Sequence, residues 1–255
     1  MTIFHSLILG LVEGLTEFLP ISSTAHLILT SRLLQIISTD FSKSFDIVIQ
    51  LGAILAVVVL YFKKLFNWLN IKKLFVAFVP TAVIGLAFYG IVKNYLLDSL
   101  TTVVWALLIG GALLIVFEYL YKPKTEGIDG LENITYTQCL LIGLFQSFSI
   151  VPGVSRAAAT IVGGLILGLS RRTIVEFSFL LAVPTMLAAS GLDLIKSGAS
   201  FSSNEYGLLL VGFVTAFLVA LGVIKLLIGY VQKYNFKPFG VYRIIIGLLF
   251  LWFIL

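Results

Sequence analysis

Long apolar stretches recur along the entire chain, and they limit the folds it can adopt more than any other feature. Six of them are long enough to cross a bilayer, which needs about 20 helical residues; they lie near residues 45–62, 74–92, 101–121, 174–192, 207–230 and 239–255. The chain is 60% hydrophobic and 11% charged, whereas soluble domains carry about 25% charged residues. The sequence therefore predicts one all-α integral-membrane domain over residues 1–255.

Two further apolar regions are shorter and broken. Region 3–37 is split at Leu19-Pro20, and region 136–169 is split at Val151-Pro152-Gly153. Proline removes a backbone donor and clashes with the preceding helical turn. Irregular backbone at membrane depth is tolerated only where protein or a cavity surrounds it. Each region is therefore predicted to form a re-entrant helical hairpin that dips to the middle of the membrane.

The two halves of the chain resemble each other. Matching positions recur at offsets of 133 to 135 residues: Gly10 and Gly143, Glu13 and Gln146, Leu19 and Pro152, Ser22 and Ser155, Phe78-Val79 and Phe213-Val214. Each half, about 1–125 and 136–255, reads as one broken hairpin followed by three spans. Because three spans are an odd number, the second half must be inverted, and the binding site of such folds lies where the breaks meet.

The basic residues predict the sidedness of the protein. The net charge is +5, and in a membrane protein loop lysines and arginines set topology and contact anionic lipid rather than nucleic acid. Twelve lie on one face: Lys63, Lys64, Lys72, Lys73, Lys122, Lys124, Arg171, Arg172, Lys225, Lys233, Lys237 and Arg243. Four lie on the other: Arg32, Lys43, Lys93 and Lys196. The first face is predicted to be cytoplasmic, with both termini and the mouth of the first hairpin outside.

Glu13 and Glu17 form an acid pair in apolar sequence. They are four residues apart, so on a helix their carboxylates share one face. Two such charges in a low dielectric cannot both ionise cheaply, so either one keeps its proton or a cation lies between them. A divalent metal fits, with water and substrate phosphate as its other ligands. The alternative is a pair of acids that only cap or hydrogen-bond within the bundle.

Ser22, Ser23 and Thr24 follow Pro20 and predict a helix start. Free amide groups at such a terminus bind phosphate, although Ser22 could also be a simple N-cap. Ser23 and His26 are three residues apart on one face, an arrangement that suits an activated nucleophile. The alternative for His26 is a hydrogen-bonded core residue.

Arg156 supplies the positive charge at the second break. It follows Gly153 and Ser155, and Thr160 shares its helix face one turn on. A guanidinium is always charged and its fork of donors matches phosphate, so an anionic substrate is indicated. The alternative is a structural ion pair with Glu13 or Glu17.

These residues carry a resemblance to a known family. The stretch from Glu13 to His26, the run Ile49–Leu55 and the Pro152-Gly-x-Ser-Arg156 motif are similar to those of the undecaprenyl-diphosphate phosphatase family, integral-membrane enzymes linked to bacitracin resistance. The resemblance implies that a C55 isoprenyl diphosphate loses one phosphate, which recycles the lipid carrier of cell-wall peptidoglycan synthesis. It also implies a divalent cation, Mg²⁺ or Ca²⁺. The family usually has Gly at Ala25 and Ser-Gly at Ala157-Ala158.

Carried over by position, the resemblance assigns roles to several candidate residues. Glu13 and Glu17 match the acidic pair of the family, Ser22, Ser23 and His26 its hydroxyl and imidazole positions, and Arg156 its phosphate-binding arginine. The predicted catalytic set is Glu13, Glu17, Ser23, His26 and Arg156, and Glu13 and Glu17 hold the metal or handle protons. With Ser22, the residues around the two breaks that are predicted from their own positions to bind substrate are Thr24, Gly153, Ser155 and Thr160. Ser23 is the first choice of nucleophile with His26 as its base, His26 attacking directly is the second, and attack by water remains a third.

Three function classes fit this pattern. The first is a polyprenyl-diphosphate phosphatase in the cell membrane, whose substrate tail leaves sideways into the membrane lipids. The rival is an ion-coupled transporter or a polyprenyl-phosphate flippase that uses the same site, and the third is a structural scaffold, which buried charges disfavour. No nucleic-acid partner is expected, and a homo-oligomer is left open.

Overall fold

The computed structural model describes residues 1–96, 99–121, 127–197 and 202–254. These residues form a helical protein, in which the isolated bridge between Ile128 and Leu169 is the only strand-like pairing among them. The helices are α1 Ile3–Thr16, α2 Ser23–Leu33, α3 Asp40–Leu60, α4 Phe62–Leu65, α5 Trp68–Ile91, α6 Leu100–Leu120, α7 Tyr136–Ser147, α8 Arg156–Ile166, α9 Arg171–Ser197, α10 Ser203–Val231 and α11 Lys237–Ile254.

Five of these helices, α3, α5, α6, α9 and α10, are long and apolar enough to cross a membrane. The sixth predicted span is the helix α11, apart from residue 255, which lies outside the described residues. The apolar part of α9 is 61% buried against 22% to 44% for the other four. Helix α9 is therefore the centre of the bundle, and its apolar residues Ile174–Val183 belong to the main core.

Both predicted breaks are present. Helix α1 ends at Thr16 and α2 begins at Ser23, while α7 and a short 3₁₀ turn end at Ile150 and α8 begins at Arg156. Ser22 and Ser155 each precede a helix with positive φ, 72° and 61°, in a region that non-glycine residues rarely adopt. Each serine Oγ accepts from the amide three residues on, Ala25 at 3.4 Å and Ala158 at 3.2 Å.

The first half packs against the second through close helix pairs. Helix α1 packs on α10 and α10 on α3; α7 packs on α5 and α5 on α9; α6 packs on α11. A Cβ added to Gly10 would lie 2.6 Å from the carbonyl oxygen of Gly212, and Gly143 is equally blocked by the carbonyl of Ala77. Small residues permit this approach of two backbones.

Buried acids tie the helix ends on the predicted basic face. Both carboxylate oxygens of Glu118 accept from Arg171, one of them at 2.7 Å, and Glu118 also accepts the amide of Phe236 at 3.0 Å. Glu176 pairs with Lys64 at 2.6 Å and with Arg172 at 3.5 Å. These contacts join α6, α9, α4 and the loop before α11.

The assignment of Arg243 to the basic face is wrong. Its side chain is fully buried and bonds to backbone carbonyls in the centre of the molecule. A single charged residue within an apolar helix does not have to lie near the helix end when polar backbone surrounds it. The bias of the remaining basic residues keeps its direction, and Lys122 and Lys124 lie outside the described residues.

Candidate active site

Two residues 139 positions apart bring the breaks together. Nη2 of Arg156, at the start of α8, donates to Oε1 of Glu17 at 3.0 Å, and both side chains are less than 10% exposed. Glu17 follows the last turn of α1, so this ion pair joins the first break to the second. The ion pair that the sequence left as an alternative is formed, and its partner is Glu17 rather than Glu13.

Ser23 is hydrogen-bonded to the other oxygen of the same carboxylate. Its Oγ donates to Oε2 of Glu17 at 2.6 Å, and both groups are buried. A hydroxyl that donates to a buried carboxylate is the arrangement of a nucleophile with an adjacent general base. Glu17 therefore connects the hydroxyl of one break to the guanidinium of the other.

His26 has different partners from those the helix spacing suggested. Its Nδ1 lies 2.7 Å from the carbonyl oxygen of Ser22, which can only accept, so Nδ1 carries the proton. Its Nε2 then accepts from the hydroxyl of Tyr242, 2.9 Å away in α11. Both ring nitrogens are occupied and neither bonds to Ser23, so His26, the base predicted for Ser23, makes no hydrogen bond to it in this structure.

Glu13 is a fully buried acid to which no neighbouring N–H or hydroxyl group donates a hydrogen bond in the part of the chain that the structure describes. The nearest polar partner of its two carboxylate oxygens is the carboxyl of Glu17, with which it can share a proton. The charges of Glu17, Asp46 and Arg156 all act on it. A buried carboxylate without donors needs a proton or a cation.

The donor set fits a divalent cation in part. Glu13 offers two oxygens to which no N–H or hydroxyl group of the described residues donates, and the oxygens of Glu17 keep further lone pairs beside their bonds to Ser23 and Arg156. In the part of the chain that the structure describes, no three His, Cys, Asp or Glu side chains are grouped as a metal site. A cation held by Glu13 and Glu17 would thus need oxygens from substrate and water.

The guanidinium of Arg156 is aimed by α9. Nη1 donates to the carbonyl oxygen of Ser178 at 2.7 Å, and Nε has no partner in the described residues. Thr160 is fully buried; its Oγ1 lies 2.6 Å from Oγ of Ser178 and also bonds to the carbonyl of Arg156. Thr160 therefore lies behind the arginine, one turn further along α8, and orients Ser178.

The other predicted substrate-binding residues lie on the two turns. Ser22 and Ser155 act as N-caps, as described above, and Thr24 is half-buried in the first turn of α2. Gly153 has φ of 97° and packs against α6, where an added Cβ would lie 2.7 Å from the Cβ of Ala106. Gly153 is thus required by the turn and by close packing.

Three residues that contact the site were missed by sequence reasoning. Ser178 and Tyr242 lie in apolar helices, and nothing in their local sequence separates them from ordinary core or surface positions. Arg243 carried a usable signal, since it is a charge within the apolar helix α11, but it was grouped with the loop residues. Their roles depend on the contacts between helices that are distant in sequence.

The model of the family "Bacitracin resistance protein BacA" matches residues 6–249 of the chain. The chain belongs to the BacA family. A protein of Persephonella marina named undecaprenyl-diphosphatase is 50% identical over 256 residues, covering 100% of both chains. Proteins of the same name from Wolinella succinogenes and Aquifex aeolicus are 50% and 48% identical, covering 100% of this chain and 99% and 100% of their own. Together with its apolar helices, this membership makes the chain a multi-pass membrane protein.

The three alanines noted in the sequence differ in burial. Ala25 is fully buried in a cluster with Val103 and Leu107 of α6, and Ala157 is buried in the main core. Ala158 is half-buried.

Proposed function

We propose that this BacA-family protein hydrolyses undecaprenyl diphosphate to the monophosphate and inorganic phosphate, and so recycles the lipid carrier of envelope glycan synthesis. The observation that carries the proposal is the cluster of Ser23, Glu17 and Arg156, assembled from both helix breaks in a chain about half identical to undecaprenyl-diphosphatases throughout. A carboxylate within hydrogen-bond distance of both a hydroxyl and a guanidinium supports the roles of base, nucleophile and phosphate-binding cation.

In the proposed reaction Ser23 attacks the terminal phosphorus. Its proton passes to Glu17, the Oγ–P bond forms, the anhydride P–O bond breaks and undecaprenyl monophosphate leaves. Water then hydrolyses the phosphoserine, and the proton held by Glu17 returns to the serine oxygen. The 2.6 Å hydrogen bond favours Glu17 over His26 as the base. His26 could attack directly only after Nε2 is released from Tyr242.

Arg156 and the helix starts stabilise the charge on the phosphoryl oxygens. Phosphoryl transfer depends on positioning and on fixed positive charge more than on covalent chemistry. The unpartnered Nε of Arg156 and the first amides of α2 and α8 are the donors that this chain offers. The carbonyl of Ser178 fixes the guanidinium of Arg156, and the N-caps Ser22 and Ser155 fix the first turns of α2 and α8.

We further propose a divalent cation, Mg²⁺ or Ca²⁺, held by Glu13 and Glu17. When bound, the cation would supply Lewis-acid charge next to the substrate phosphates. The carboxylate of Glu13, to which no N–H or hydroxyl group of the described residues donates, supports this assignment.

We propose that the architecture is an inverted repeat of two re-entrant hairpins, each followed by three spans. The support is a pair of matching contacts: Gly10 meets Gly212 and Thr215, and at the matching offsets Gly143 meets Ala77 and Pro80. In this arrangement the basic face is cytoplasmic, the termini lie outside and the lipid tail leaves the site sideways. Labelling of single cysteines from either side of the membrane tests the sidedness.

Phosphate release from a polyprenyl diphosphate by purified protein in detergent tests the function. Ser23→Ala is expected to abolish turnover, whereas Ser147→Ala, a buried serine bonded to the carbonyl of Gly143, is the matched control and should remain active. Rapid quenching should trap an acid-stable phosphoserine. An acid-labile adduct would identify His26 as nucleophile, and inversion at a chiral phosphorus without an adduct would identify water.

A transporter or flippase that uses the same site is the second candidate. The observation that favours it is the buried Glu13, which has no N–H or hydroxyl donor among the described residues and is suited to carry a proton or cation across a site. Ion-dependent movement of a polyprenyl phosphate in proteoliposomes, with no phosphate release by the same preparation, would favour the transporter.

A further inference from the structure

Arg243 is a buried cation without an acidic partner. It lies in α11 and is 1% exposed, and no carboxylate of the described residues is within ion-pair distance of it. Its guanidinium donates to the carbonyl oxygens of Ala106 at 2.8 Å, Gly153 at 2.9 Å and Pro20 at 3.4 Å. A buried charge is costly unless it is hydrogen-bonded, so these three bonds of Nη1 and Nη2 stabilise the side chain in this position, while Nε has no partner among the described residues.

The three carbonyls come from three different parts of the fold. Pro20 lies in the first break, Gly153 in the second, and Ala106 in the middle of α6. Backbone groups at a helix break lack the partners that a continuous helix provides. The side chain of Arg243 therefore bonds to one backbone carbonyl in each break and connects both breaks to α11.

Two glycines of α6 create the space for this side chain. A Cβ added to Gly110 would overlap the guanidinium of Arg243, and one added to Gly111 would lie 2.7 Å from the carbonyl oxygen of Gly240 in α11. The close approach of α6 and α11 therefore sets the depth at which Arg243 reaches the breaks.

We propose that Arg243 is a positioning residue that holds the two helix breaks at a fixed separation, so that Ser23 and Glu17 of one face Arg156 of the other. The inference rests on the proposed function, because it assigns the two breaks to one reaction site. Displacement of reacting groups by about 1 Å can cost about a hundredfold in rate. Loss of the contact should therefore lower kcat more than it raises KM.

Gly110→Ala tests the contact without removing any group that bonds to a break. Gly229→Ala, in α10, is the matched control, since nothing lies within 4 Å of its added Cβ. Gly110→Ala is expected to lower kcat at least about tenfold with KM changed less than about threefold, while the control keeps the wild-type values. A Gly110→Ala enzyme with wild-type kcat overturns the proposal.

A double variant distinguishes the loss of the Arg243 contacts from a general loss of stability. Arg243→Met should lower kcat to a similar extent, and adding Gly110→Ala to it should cause little further loss, because the group that the methyl displaces is gone. Independent effects that multiply would overturn the proposal. Arg243→Lys should not restore kcat, since one ammonium group cannot reach three separated carbonyls.

A distance measurement gives a readout that does not depend on activity. Leu15 and Phe148 are exposed and precede the first and second breaks. Spin labels on Leu15→Cys and Phe148→Cys, in a Cys139→Ser background, should give a narrow distance distribution that Gly110→Ala broadens or shifts. An unchanged distance distribution overturns the proposed positioning role of Arg243. Absence of phosphate release by the wild type overturns only the proposed function.

Discussion

Replacement of Arg156 by lysine keeps the positive charge of the second break but removes its planar fork. The arginine donates to two acceptors, Oε1 of Glu17 at 3.0 Å and the carbonyl of Ser178 at 2.7 Å, and its Nε has no partner in the part of the chain that the structure describes. A lysine ammonium is a point charge on a flexible chain and cannot reproduce this geometry. We therefore expect Arg156→Lys to be nearly as damaging to catalysis as Arg156→Ala.

The magnitude follows from the contact that is lost. A hydrogen bond to a charged group contributes about 1.5–3 kcal/mol, which corresponds to a fall of about 10- to 150-fold in kcat/KM. Arg156→Ala also leaves Glu17 buried without its cation, and breaking a buried pair costs about 3–5 kcal/mol of folding stability. The alanine variant should therefore melt at a lower temperature than the lysine variant.

Phosphate release by purified protein in detergent, with kcat and KM measured separately beside a thermal melt, provides the assay. Arg172→Lys is the matched control, because that side chain is 60% exposed and contacts Glu176 at 3.5 Å; exposed pairs contribute about 0–1 kcal/mol. If Arg156→Lys retains more than about half of the wild-type kcat/KM, the fork is not used and Arg156 supplies only background charge.

Three further predictions concern groups around the site and the basic face. Tyr242→Phe removes the donor to Nε2 of His26, so kcat/KM should fall about 2- to 12-fold, the effect of one neutral hydrogen bond; a larger loss would indicate a direct role for the hydroxyl. Glu118→Ala leaves Arg171 without its buried partner. The free energy of unfolding should fall by about 3–5 kcal/mol and the melting temperature with it, whereas the KM of the folded fraction should not change. Chelation should abolish activity that Mg²⁺ or Ca²⁺ restores, and Glu13→Gln should raise the cation concentration for half-activation at least about tenfold; an unchanged requirement would remove Glu13 from the cation site.

The breaks and the spans could be predicted from local sequence because their causes are local. Pro20 and Pro152-Gly153 lie in short apolar segments with polar residues beside them, and there the loss of a backbone donor ends the helix; Pro80 and Pro184 lie inside the long helices α5 and α9 without ending them. Long apolar runs form helices in lipid because every backbone group must be bonded within the segment. The residue types at the breaks likewise indicated phosphate chemistry. The repeat and the sidedness stay predictions.

The partners of the site residues were decided by the tertiary structure. The pairing of Ser23 with His26 was inferred from helical spacing, and both residues do lie in α2. Spacing gives the shared helix face but not the hydrogen bonds, because groups outside that face compete for each side chain. Glu17 lies in the turn between α1 and α2, which brings its carboxylate to the hydroxyl of Ser23, a contact that helical spacing does not predict. His26 instead turns to the carbonyl of Ser22 and to Tyr242 of a helix more than 200 residues away.

Sequence alone thus determined which polar residues the two breaks contain, because ionisable groups in apolar segments are costly and mark functional positions. Which of them bond to one another depended on how α9 and α11 pack against the breaks. Ser178 aims Arg156, and Arg243 binds both turns, through backbone carbonyls whose positions exist only in the folded bundle. Every residue type has the same backbone carbonyl. The sequence therefore cannot show which carbonyl accepts a hydrogen bond, and only the folded structure shows these contacts.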